Sequence, residues 1–124
     1  MNLNPRDPQT YQARSRAKAR LGDFQGSVED LTKALELDPF NPELYYLRGT
    51  AKGRMSKHQA AIADLTQAIM FDPQHVNSYQ NRGIAKNELG DYKGGLEDLS
   101  YAIKLNPDNA IAYASRGVGE GTPR

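Results

Sequence analysis

Pro5, Pro39, Pro73 and Pro107 stand 34 residues apart, and so do Tyr11, Tyr45, Tyr79 and Tyr113. Arg14, Arg48, Arg82 and Arg116 keep the same interval. A chain that repeats at this period does not build one core of unique elements. It repeats one helical hairpin, and each copy hides its apolar face against the next. Three full units are near the minimum for a stable stack. Function in such a stack lies on the surface that the units share.

The units run from Pro8 to Asn41, Pro42 to His75 and Val76 to Asn109, with a partial fourth at 110–118 and a loose tail at 119–124. Residues 1–7 hold Leu3-Asn4-Pro5, in register with Leu105-Asn106-Pro107, and read as the tail of a preceding unit or as an N-terminal extension. In the second half of each unit Val28, Leu31 and Leu35 recur at helical spacing, as do Ile62, Leu65, Ile69 and Leu96, Leu99, Ile103. That spacing makes one apolar helix face. Gly22-Asp23 and Gly90-Asp91 end one helix and cap the next. Asp7-Pro8 and Asn41-Pro42 place a capping side chain before a proline at the first helical position. The pattern predicts helices at about 8–21, 24–37, 42–55, 58–71, 76–89, 92–105 and 110–118. Gly94 is expected to cost roughly 1 kcal/mol in its helix and to soften the third unit.

From Pro8 to about Val118 the chain resembles the tetratricopeptide repeat family. The resemblance rests on the period, the small-residue column Ser27, Ala61 and Gly95, the closing prolines, and the tyrosine that opens each unit. Tyr stands where the family has its first Trp, and Arg replaces the Leu of its Leu-Gly pair. The resemblance implies an all-α, right-handed solenoid of stacked antiparallel hairpins. It also implies a noncatalytic module that holds a partner protein or peptide in a concave groove on the first helices. Carried onto this sequence, the groove takes in Gln12, Arg16, Arg20, Tyr46, Thr50, Arg54, Asn77, Gln80, Asn81, Ile84 and Asn87. Some members clamp the terminal carboxylate of heat-shock chaperones with Lys, Asn and Arg on successive first helices. One register offers Gln12, Arg16, Leu47, Asn77 and Asn81, and the next offers Tyr46, Thr50, Asn81, Ile111 and Ser115. Neither supplies the clamp, so no chaperone-tail carboxylate clamp is expected.

Two repeated charge columns have a structural reading. Arg14, Arg48, Arg82 and Arg116 alternate with Asp30, Asp64 and Asp98. The expectation is a ladder between units, with Asp30 to Arg48, Asp64 to Arg82 and Asp98 to Arg116. The tyrosine column is expected in the core, where a ring buries much apolar area. Tyr46 is read instead as a peptide contact.

Composition narrows the alternatives. The formal net charge is +1, so no global field selects nucleic acid or membrane. The chain has no cysteine, which removes disulfides and thiolate chemistry. No apolar run approaches the roughly 20 residues of a membrane span, and Met1-Asn-Leu-Asn-Pro is no signal peptide. These features favour a soluble, cytoplasmic protein. His58 and His75 are the only histidines, and neither has a sequence neighbour suited to a metal or a nucleophile; His58 shares the column of Phe24 and Tyr92 at a helix start, a column read as packing. No enzyme activity, cofactor or metal is expected. Two further roles stay open. One is self-association through an incomplete fourth unit. The weaker is nucleic-acid binding through the basic first helix, with Arg14, Arg16, Lys18 and Arg20.

Overall fold

The computed structural model describes residues 6–108. Among them the chain forms six helices and no strand: α1 (Pro8–Arg20), α2 (Phe24–Leu37), α3 (Pro42–Arg54), α4 (His58–Phe71), α5 (Val76–Glu88) and α6 (Tyr92–Leu105). Each packs on the next in chain order, and α3 also touches α5. The result is the all-α helical-repeat solenoid that the period implies. The helix expected at 110–118, the tail after it, and residues 1–5 lie outside the described residues.

Local chemistry accounts for the helix ends. The Asp7 and Asn41 side chains accept the backbone N–H groups of Gln9 and Glu43, ahead of a proline in the first turn. Asp23 and Asp91 accept from the N–H groups of Gly26 and Gly94. Between the helices of the first and third hairpins, Gly22 and Gly90 take φ of 82° and 83°. Ser56 fills this column in the middle hairpin and is held at φ 61°, a region that a side chain disfavours.

Gly94 has a different role from the one its helix propensity suggests. A methyl group at Gly26 or Gly94 would run into the capping carboxylate of Asp23 or Asp91. In the middle hairpin the capping position is Lys57, which makes no side-chain bond, and Ala60 fills the glycine column. Gly94 makes room for the Asp91 cap.

The core is a column structure. Leu31, Leu65 and Leu99 are at most 1% exposed, and Ala34, Ala68 and Ala102 are fully buried. A buried leucine contributes roughly 1.5–3 kcal/mol. Leu44 of α3 packs into the cluster of Tyr11, Leu31, Ala34 and Leu35, joining the first two hairpins. Gly49 and Gly83 let α3 and α5 approach their own hairpin partners. A Cβ at Gly83 would stand 2.7 Å from the Leu99 Cγ and 3.1 Å from the Gly95 carbonyl oxygen.

The charge ladder exists, in a different register from the expected one. Asp30 receives Arg14, Asp64 receives Arg48, and Asp98 receives Arg82, each through two guanidinium N–H groups at 2.6–2.9 Å. Each pair therefore closes one hairpin instead of joining two. A lysine one turn further along the first helix adds a second cation: Lys18, Lys52 and Lys86, at 3.0–3.2 Å. Between units the bonds are single ones to hydroxyl groups: Arg48 and Arg82 each donate through Nη1 to Thr32 and Thr66 of the preceding hairpin, at 3.2 Å, and Asn81 donates to Thr50 at 3.0 Å. Arg116, expected to pair with Asp98, lies outside the described residues. Each arginine also sits over the tyrosine three residues before it, 5.6–5.8 Å from the ring centroid. The tyrosine column is thus a shelf for arginine. Tyr11 is buried as expected, while Tyr45 and Tyr79 are half-buried against Phe71 and Tyr101.

Candidate functional site

The successive first helices leave clefts between them. The larger one, about 480 Å³, lies between α1 and α3 and is lined by Arg16, Arg20, Phe24, Leu47, Thr50 and Arg54, among others. The next, about 220 Å³, lies between α3 and α5. Its lining is mostly apolar: Gly49, Gly53, Ala61, Leu65, Ile84 and Ala85, with Thr50, Arg54, His58 and Asn81. Thr50 and Arg54 line both clefts, so the two form one continuous depression. Gly53 matters because a Cβ there would meet only the Ala61 Cβ, at 3.9 Å, so the missing side chain leaves space open.

The electrostatics of the depression come from how α1 divides its cations. Arg14 and Lys18 face α2 and are held by buried Asp30. Arg16 and Arg20 point away from that carboxylate, are exposed, and have no acidic partner among the described residues. The Arg54 guanidinium lies over the Phe24 ring, 4.9 Å from its centroid. Stacking fixes the plane of the fork and leaves its N–H edges outward.

A second constellation surrounds His75, for which the sequence offered no partner. Its Nε2 lies 3.1 Å from Glu43 Oε2, its Nδ1 lies 2.8 Å from the Ser78 hydroxyl, and the Tyr46 ring is 5.0 Å away. Serine, histidine and carboxylate in line resemble a hydrolytic relay. However, Ser78 is 0% exposed, so no substrate reaches its oxygen. The group instead joins α3 to the start of α5. Among the described residues no set of acidic, histidine or cysteine side chains could hold a metal ion, and no helix is long and apolar enough to cross a membrane.

A family model described as tetratricopeptide repeat matches residues 47–117, and one described as TPR repeat matches residues 16–56. The chain belongs to the tetratricopeptide repeat family. Solved structures agree with it in shape. The Arabidopsis OM64 TPR domain is 25% identical, with a TM-score of 0.92 over 96% of this chain and 98% of that one. The crystal structure of MamA is 27% identical, with a TM-score of 0.90 over 95% of this chain and 70% of that one. The first TPR of Spaghetti (RPAP3), bound to the HSP90 peptide SRMEEVD, is 21% identical, with a TM-score of 0.91 over 98% and 96%. No curated protein matches the sequence.

Within this tetratricopeptide stack the residues named from the sequence fall into groups. Arg16, Arg20, Thr50 and Arg54 share the first cleft, and Thr50, Arg54, Asn81 and Ile84 share the second. Asn81 donates to the Thr50 hydroxyl at 3.0 Å, so these two also bind each other across the groove floor. Gln12 lines a shallow depression with Gln9, Ala13 and Arg16 beyond the first cleft. Tyr46, Asn77, Gln80 and Asn87 line neither cleft. Tyr46 leans on His75, and Asn87 lies against Gly95 of α6, where a methyl would strike its side-chain oxygen. Phe24 and His58, read from sequence as packing residues, are the missed members. They share one column at the start of the second helices and form a lip of the clefts.

Proposed function

We propose that this protein is a noncatalytic interaction module that captures a segment of a partner protein in the depression between its first helices. Tetratricopeptide domains are protein–protein interaction modules, and one structural relative is bound to a chaperone-derived peptide. The observation that carries the reading here is the pair of contiguous clefts, preformed and lined by exposed arginines beside apolar surface. A preformed groove binds an extended segment with little rearrangement. The clamp columns hold Gln12, Arg16, Leu47, Asn77 and Asn81, so a chaperone tail is not the proposed partner. Nucleic acid is disfavoured because half of the basic stripe on α1 is engaged by Asp30. Self-association through the partial fourth unit rests on residues outside those described.

The test is affinity capture with the full chain, compared with Arg16→Glu, Arg54→Glu and Ile84→Glu. Loss of the same partner with the groove variants, while helix content is unchanged, supports the module. Capture that all three variants leave intact rules the groove out.

A further inference from the structure

We infer that the first cleft takes an aspartate or glutamate side chain of the partner and the second takes an apolar one about three residues away along an extended segment. This rests on the groove reading above and adds the ligand's chemistry to it. Three guanidinium groups line the first cleft, in a chain whose formal net charge is only +1. Arg14 and Lys18 already have Asp30, so the positive charge left on this face is that of Arg16, Arg20 and Arg54. Arg54 is oriented in advance by Phe24, and an oriented fork suits a planar carboxylate.

The second cleft differs in kind. Leu65, Ala61, Ala85 and Ile84 give it an apolar wall, and Gly53 keeps it open. The clefts flank α3 and share its Thr50 and Arg54, so their centres lie one helix diameter apart, roughly 10 Å. An extended chain advances about 3.3 Å per residue, which sets the spacing at about three residues. The column that holds Arg20 and Arg54 changes to Glu88 in the third unit. That reversal repels an acidic residue displaced toward α5 and fixes which end of the segment lies at α1.

Random peptides displayed on phage and selected on the full chain test this, with affinities measured by fluorescence anisotropy. The expected ligands carry Asp or Glu about three residues from Leu, Ile, Val or Met. They lose about tenfold or more in affinity against Arg16→Glu/Arg54→Glu. Selection on that double variant returns ligands with Lys or Arg at the acidic position. All three arginines are exposed, and circular dichroism checks that the variants stay folded. Ligands that Ile84→Glu abolishes but that lack an acid, or bind the arginine variant equally well, overturn the inference and leave the groove reading standing. Ligands indifferent to both Ile84→Glu and the arginine variant overturn both. Displacement of the selected peptides by oligo(dT), with the steep salt dependence of phosphate contacts, overturns it in favour of nucleic acid.

Discussion

Arg48 and Asp64 meet through two parallel hydrogen bonds, Nε to Oδ2 at 2.9 Å and Nη2 to Oδ1 at 2.8 Å, inside one hairpin. Asp64 is buried and Lys52 approaches the same carboxylate at 3.0 Å. This geometry repeats in all three hairpins. It locks the antiparallel helices of each unit and leaves cohesion between units to apolar contact and single hydrogen bonds. A double-mutant cycle of Arg48→Ala and Asp64→Ala is expected to show coupling of about 0.5–3 kcal/mol by denaturant titration. Removing Asp64 alone should cost several kcal/mol, up to about 3–5, because two cations lose their partner. The cycle of Asp64 with Arg82 should be additive within about 0.5 kcal/mol. Equal coupling in both cycles would restore a ladder between units.

The first hairpin should be acid-labile through Asp30. Burial pushes its carboxyl upward, but hydrogen bonds and charge from Arg14 and Lys18 outweigh burial and hold it below the usual carboxylate value. A carboxylate depressed in the folded state stabilises fully above its unfolded value, about pH 4, and that contribution is lost as pH falls through the folded value. Stability of the wild type should therefore drop as pH falls below about 4. Asp30→Asn should start lower at pH 7 and show a flatter profile across that range. Parallel profiles for the two proteins would show that Asp30 is not the group responsible.

How much of this was legible in advance follows from what periodicity can and cannot encode. Six helix positions followed from caps, glycines and apolar spacing, because those signals act within a few residues. The charge columns were legible, but their pairing was not. Asp30 stands 16 residues after Arg14 and 18 before Arg48, and a repeated pattern is indifferent between the two. Only the packing of one hairpin decides it. Gly94 was misread because helix propensity describes an interior position, whereas the cap carboxylate occupies that space. Phe24 and His58 were read as packing residues because their role at the cleft edge depends on Arg54, thirty residues from Phe24. The split of the α1 cations into a held pair, Arg14 and Lys18, and a pair without an acidic partner, Arg16 and Arg20, was likewise invisible until Asp30 was placed.

Ser56 offers a clean stabilising change. Its column holds Gly22 and Gly90 elsewhere, all three with positive φ. The left-handed conformation costs a non-glycine residue roughly 1–2 kcal/mol, and glycine returns about 0.4–1 kcal/mol of that as unfolded-state entropy. Ser56→Gly should stabilise the protein by about 0.5–1 kcal/mol, seen as a higher denaturation midpoint. A lower midpoint would mean that the serine makes a compensating interaction in this turn.

Gly83 and Gly53 should respond to alanine in opposite directions, although both lie in first helices. Alanine is favoured over glycine in a helix by about 1 kcal/mol. At Gly53 the added methyl would meet only the Ala61 Cβ, at 3.9 Å, an ordinary contact. Gly53→Ala should therefore gain up to about 1 kcal/mol. At Gly83 the methyl would stand 2.7 Å from the Leu99 Cγ, with the Gly95 carbonyl oxygen at 3.1 Å behind it. Leu99 is fully buried and has no room to retreat without moving α6. Overpacking of this kind costs about 1–3 kcal/mol, enough to cancel the helical gain and exceed it. Gly83→Ala should lower the unfolding midpoint while Gly53→Ala raises it. If both raise it, α5 and α6 separate more easily than their contact at Gly83 implies, and the close approach of the third hairpin is not a constraint on its stability.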